Sequence, residues 1–146
     1  MKIKSLVLFA QSIGIGLAFV LSGCSLLPAG TPEASPEEIV SKFYRWYIGY
    51  PGNPLADQEY RTSPYLTESF VQKVDETLAS FAGGGYDPIL LAQDIPESFA
   101  VDNAIISDNE ASVIVHLHWS GNPLPSDRKI ALKRTDGQWK IADISH

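Results

Sequence analysis

The hydrophobic pattern of this 146-residue chain changes its period at Pro96. Upstream, apolar residues recur every three or four positions; downstream they alternate. Ile39, Val40, Phe43, Tyr44 and Tyr47 follow the helical spacing, with Trp46 widening the apolar side. Leu66, Phe70, Val74, Leu78 and Phe81 make a second such stripe. The pattern predicts helices over 36–48 and 67–82. After Pro96 it predicts strands near 98–106, 111–119, 128–134 and 139–144, with tight turns at Asp108-Asn109 and Asp136-Gly137. In the second strand Val113, Val115, Leu117 and Trp119 share one face, and Ile114, His116 and His118 the other. Short turns between neighbouring strands imply an antiparallel meander. The expected fold is therefore α+β: two N-terminal helices on a curved antiparallel sheet of about four strands.

Local chemistry marks the element ends. Ser35 is placed to cap the first helix, Pro36 fits its first position, and Glu38 completes a capping box. Residues 50–65 read as a polar, Pro-containing connection. Gly83-Gly84-Gly85 stops the second helix. No strand precedes this triplet and no Lys-Ser/Thr follows it, so it reads as a helix exit rather than a phosphate loop. Residues 86–96 form a compact apolar segment bracketed by acids and prolines, read as a short helical turn or an ordered loop.

The N-terminus has a separate logic. Lys2 and Lys4 precede an apolar run over 5–20, the layout of a secretory signal. Gln11 and Ser12 interrupt that run, which weighs against a permanent membrane span. Leu21-Ser22-Gly23-Cys24 follows and resembles the lipobox of bacterial lipoproteins at all four positions. The resemblance implies cleavage between Gly23 and Cys24 and a diacylglycerol thioether on Cys24. Residues 1–23 are then the signal, 24–35 a lipidated, flexible tether rich in Pro, Gly and small residues, and 36–146 a single domain. Ser25 stands where an Asp commonly means inner-membrane retention, so the class rule points to the outer membrane in a Gram-negative cell.

Removing residues 1–23 takes away two lysines and no acid, leaving 9 basic and 17 acidic residues, a net charge of −8. That balance disfavours nucleic acid and anionic lipid headgroups as partners. Attachment to a membrane falls to the acyl chains, and stable anchoring needs more than one. Cys24 is the only cysteine. Once acylated, it leaves the chain without a disulfide, thiol nucleophile or thiolate metal ligand.

Three further stretches carry a wider resemblance: Phe43-Tyr44-x-Trp46-Tyr47, Asp87-Pro88-x-Leu90-x-x-Gln93-Asp94 and Gly137-x-Trp139-Lys140-Ile141. Together they resemble a family of bacterial envelope proteins that often carry a lipoprotein signal and share a domain of unknown function. Its order of helices and sheet is similar to the nuclear-transport-factor-2-like, or cystatin-like, superfamily. The resemblance spans most of residues 36–144 and implies no catalytic residues and no cofactor.

Three groups of side chains are candidates for chemistry. His116 and His118 project from one side of a strand and could offer two imidazoles to a metal. With no third His or Cys at ligand spacing, a solvent-facing role on the polar side is the simpler reading. Tyr47, Asp87, Gln93 and Asp94 could line a pocket, with a carboxylate tuned by apolar walls. The competing reading is local: Asp87 caps the turn before Pro88, and Gln93 or Asp94 bonds nearby backbone. The aromatic cluster of Phe43, Tyr44, Trp46, Tyr47 and Tyr50 serves a core as readily as a ligand. No Ser-His-Asp order, nucleophile elbow, dinucleotide fingerprint or EF-hand occurs.

Function is thus expected to be binding. The leading expectation is a non-enzymatic, membrane-anchored envelope lipoprotein that binds another envelope protein. The alternatives are a small-molecule-binding or enzymatic pocket domain, and an immunity or inhibitor protein whose acidic surface covers a basic toxin.

Overall fold

The structure, a computed structural model, describes residues 33–81, 85–122 and 126–146. Cys24 and Gly23, with the predicted signal and most of the tether, lie outside the described residues.

The first helix, α1 (Pro36–Ile48), starts as its sequence dictates. Ser35 Oγ accepts from the Glu38 N–H at 3.3 Å, and Pro36 occupies the first turn. The inward face buries Val40, Phe43, Tyr44 and Tyr47. Each such side chain contributes about 1.5–3 kcal/mol by leaving water. The helix ends where the Gly49 N–H reaches the Arg45 carbonyl at 3.1 Å.

The connection over 50–65 is more ordered than its polarity suggests. Asn53 Oδ1 accepts from the N–H groups of Leu55 and Ala56, turning the chain. A 3₁₀ helix (Glu59–Thr62) then buries Tyr60, whose hydroxyl donates to Asp75. The second helix, α2 (Glu68–Ser80), is capped by the Thr67 hydroxyl, which accepts from the Phe70 N–H at 3.2 Å. It buries Phe70 and Val74. Phe81 departs from the predicted apolar stripe. The helix stops at Ser80, and Phe81 is 49% exposed, its ring 5.5 Å from that of Tyr86.

Five antiparallel strands follow: β1 (Ser98–Val101), β2 (Ile105–Ser107), β3 (Glu110–His118), β4 (Ser126–Thr135) and β5 (Gln138–Ser145). The order is β1-β3-β4-β5, and β2 also pairs with β3. The single strand predicted over 98–106 is therefore two, which raises the expected four to five. Val101 faces Val115 but Ile105 faces Ser112, so one extra residue bulges from this edge. Glu37 of α1 accepts the Ala104 N–H there at 2.7 Å.

Alternation on β3 holds for Val113, Val115 and Leu117, which are buried together with Ala111, whereas Trp119, predicted on the same face, lies past the end of the strand and is half-buried. On β5, Ile141 and Ile144 are three apart yet both buried. A register shift between Ala131 and Leu132 of β4 reconciles them, since Ala131 faces Asp143 and Leu132 faces Ile141. Asp136 (φ 52°) and Gly137 (φ 76°) supply the two positive φ angles of a type I′ hairpin turn. The outer side of β5 is bridged by Leu66, through Thr67 N–H to Ile141 O and Ile141 N–H to Tyr65 O. Helix α1 packs on β1, β3 and β5, and α2 on β5. The domain is α+β, with its core between the helices and one sheet face. Among the described residues, no helix is long and apolar enough to cross a membrane.

Candidate functional site

The segment after Gly85 is a loop closed on itself. The Asp87 N–H donates to Ala92 O at 2.7 Å, and the Ala92 N–H returns to Asp87 O at 3.4 Å. Asp87 Oδ1 accepts from the N–H groups of Ile89 (2.7 Å) and Leu90 (2.9 Å). Its Oδ2 accepts the Tyr47 hydroxyl at 2.8 Å. Ile89 and Leu90 are fully buried, and Leu91 takes a left-handed φ of 52° to turn the chain.

Arg128 secures the same loop from the sheet. It is 2% exposed. Nε donates to Leu90 O at 2.7 Å and Nη2 to Leu91 O at 3.1 Å, while Nη1 reaches Ser126 Oγ and Asp127 O. These carbonyl and hydroxyl dipoles offset part of the cost of burying a guanidinium. Burial lowers its pKa from the ordinary arginine value.

Burial pushes the Asp87 carboxyl pKa up, opposed by the donors at Leu90, Tyr47 and Ile89. Burial also pushes the Tyr47 phenol far above its ordinary value, reinforced by the Asp87 charge, so the hydroxyl stays a donor. The buried Tyr44 hydroxyl has no hydrogen-bond partner among the described residues, and burial raises its pKa.

Beside the loop lies a cleft of about 300 Å³. Tyr47, Asp87, Gln93 and Asp94 all line it, so the structure brings the four pocket candidates together. Their situations differ. Asp87 has both carboxylate oxygens engaged in holding its own loop and Tyr47. Asp94 accepts the Trp119 indole N–H through its backbone carbonyl, at 3.0 Å. Gln93, Asp94 and Ile95 also line a broader cleft on their other side, with Trp119, Ser120 and Glu97. These three residues thus form a ridge between two depressions.

His116 and His118 lie on the sheet face away from the core. The His116 ring is bridged by aspartates from both neighbouring segments: Nδ1 to Asp127 at 2.7 Å, Nε2 to Asp102 at 3.2 Å. Asp127 and then Asp102 raise its pKa, favouring an imidazolium that donates from both nitrogens. Among the described residues, no three His, Cys, Asp or Glu side chains are grouped to hold a metal ion.

Sequence reasoning missed Arg128. The signal was present: Arg128, Ile130 and Leu132 alternate on one face, which places a charge among core positions.

No family model matches the chain, and no curated protein does. Among solved structures it is similar to a chain of the type VI native effector–immunity complex Tae3–Tai3 from Ralstonia pickettii. Identity there is 27%, the TM-score is 0.59, and the match covers 76% of this chain and 94% of that one. The selenomethionine form of the complex gives 26%, 0.58, 76% and 95%. A protein of unknown function from Bacteroides thetaiotaomicron shares the fold at 24% identity, with a TM-score of 0.54 over 75% of this chain and 88% of its own.

Proposed function

We propose that this chain is the immunity member of an effector–immunity pair: an envelope lipoprotein that binds a toxic effector protein and blocks it. The observation that carries the reading is the likeness, at 27% identity, to nearly the full length of a chain from the Tae3–Tai3 complex. The lipobox resemblance at Cys24 favours the immunity side. A lipid anchor retains the protein in the envelope of the cell that makes it, where an incoming effector meets it. The net charge of −8 after cleavage suits a basic partner and speeds encounter at moderate salt.

The cleft that gathers Tyr47, Asp87, Gln93 and Asp94 supports a second reading, a small-molecule binder. It is the weaker one, because both Asp87 carboxylate oxygens already accept from the protein itself.

The test is a mixed culture of the parent strain with a derivative lacking this gene. Immunity predicts that the parent kills the derivative on contact, and that the full chain restores survival. A derivative that grows unharmed beside its parent ends the reading.

A further inference from the structure

Resting on that reading, we infer that the ridge of Gln93, Asp94 and Ile95 is the edge that enters the effector, seating Ile95 in an apolar hollow bordered by a basic side chain.

The first ground is placement. The chain enters the domain at one end of the sheet: Glu33 pairs with Arg134 at 3.2 Å, and Glu37 holds Ala104. The Arg134 N–H donates to Asn109 O in the β2–β3 turn, so that turn marks the same end. The ridge lies at the other end, where Trp119 follows β3 and Arg128 stands near the start of β4. The nine residues of β3 separate the two ends, about 26 Å at strand rise. A domain tethered through its N-terminal segment is held at one end and presents the other.

The second ground is exposure combined with rigidity. Ile95 is 50% exposed, between two depressions that leave both its flanks open. Yet the backbone around it is fixed. Arg128 holds the carbonyls of Leu90 and Leu91, Trp119 holds that of Asp94, and the Glu97 N–H donates to His118 O at 2.8 Å. A preformed apolar projection loses little conformational freedom on binding, and such anchors carry most of an interface's energy.

The third ground is charge. Asp94 and Glu97 line the broader cleft, and Arg128, the one cation lining either cleft among the described residues, is buried and engaged. The ridge therefore shows its partner an aliphatic tip with carboxylates beside it. Ile105 and Ile106 are more exposed, at 76% and 55%, but they sit at the end where the chain enters.

The mixed culture tests this with full-length variants placed in the deletion strain: Ile95→Asp, Asp94→Lys and, as control, Ile106→Asp. The ridge variants are expected to cut survival beside the parent by about 100-fold, as loss of a central contact does. Ile106→Asp is expected to protect as the wild type does. If the wild-type chain protects and the ridge variants protect equally, or if Ile106→Asp fails as badly as they do, the ridge is not the contact and immunity stands. If the wild-type chain does not protect, the underlying reading fails and this one with it. Thermal melts check folding. Should Ile95→Asp unfold, a photo-crosslinking residue at 95 must label the parent protein whose deletion abolishes killing, and one at 106 must not. The reverse pattern overturns the proposal.

Discussion

Arg128 Nε lies 2.7 Å from the carbonyl oxygen of Leu90, a bond that joins the sheet to a loop 38 residues earlier in the chain. The loop has no regular structure to satisfy its own carbonyls. A buried cation from β4 takes that part, and the ridge inherits its rigidity.

Replacing Arg128 by Leu leaves the carbonyls of Leu90 and Leu91 without their donor. We expect a loss of about 2–4 kcal/mol, read as a lower urea midpoint, with faster amide exchange concentrated over 87–92. An unchanged midpoint would show that the guanidinium is dispensable to the loop.

Tyr47→Phe removes one donor from Asp87 and should cost about 1–2 kcal/mol. The cost depends on pH. Burial raises the folded pKa of this carboxyl above its unfolded value, so the fold tolerates the protonated form well. The deficit of Tyr47→Phe is expected to be smallest at acidic pH and to grow as pH rises through the folded pKa. Denaturation curves of both proteins across pH 3–7 measure it, and a flat difference would be the contrary result.

His116 gives a dependence of opposite origin. Its folded pKa is raised by Asp127 and Asp102. The stability it confers is complete below the unfolded histidine value and is lost as pH rises through the folded one. His116→Asn should lack this alkaline decline. Melting temperatures from pH 5 to 9 test the difference, and NMR titration of His116 should give a pKa above the ordinary histidine value.

Lipidation is tested directly at Cys24. Mass spectrometry of the mature protein should find an N-terminal peptide beginning at Cys24 and carrying a diacylglycerol thioether. Cys24→Ser should be neither acylated nor cut after Gly23. A wild-type chain found with an unmodified thiol would end the lipoprotein reading.

Much of the fold could be read from hydrophobic period alone. The predicted span of α1 coincides with the observed helix, and the inward face of β3 is the one its alternation marks. What escaped was tertiary. At the break between β1 and β2, Glu37 reaches across from α1 to the Ala104 N–H, and no local pattern announces that contact. Tyr60 is buried in the core with its hydroxyl donating to Asp75 of α2, although its neighbours in sequence are polar. Arg128 reads as a surface strand residue until its face is compared with that of Ile130 and Leu132. The four pocket candidates did converge on one cleft, but the sequence could not reveal that Asp87 would be occupied by its own loop.

The bulge between Val101 and Ile105 bears on crowding. Anchored as proposed, copies of this chain would share a two-dimensional layer, where neighbours collide far more often than in free solution. A straight sheet border would invite those neighbours to zip together, strand upon strand. Here one border is kinked, with Ala104 turned to Glu37, and the other is bridged by Leu66 at Ile141. Copies held in a membrane layer as proposed are therefore expected to remain separate molecules rather than harden into a fibre.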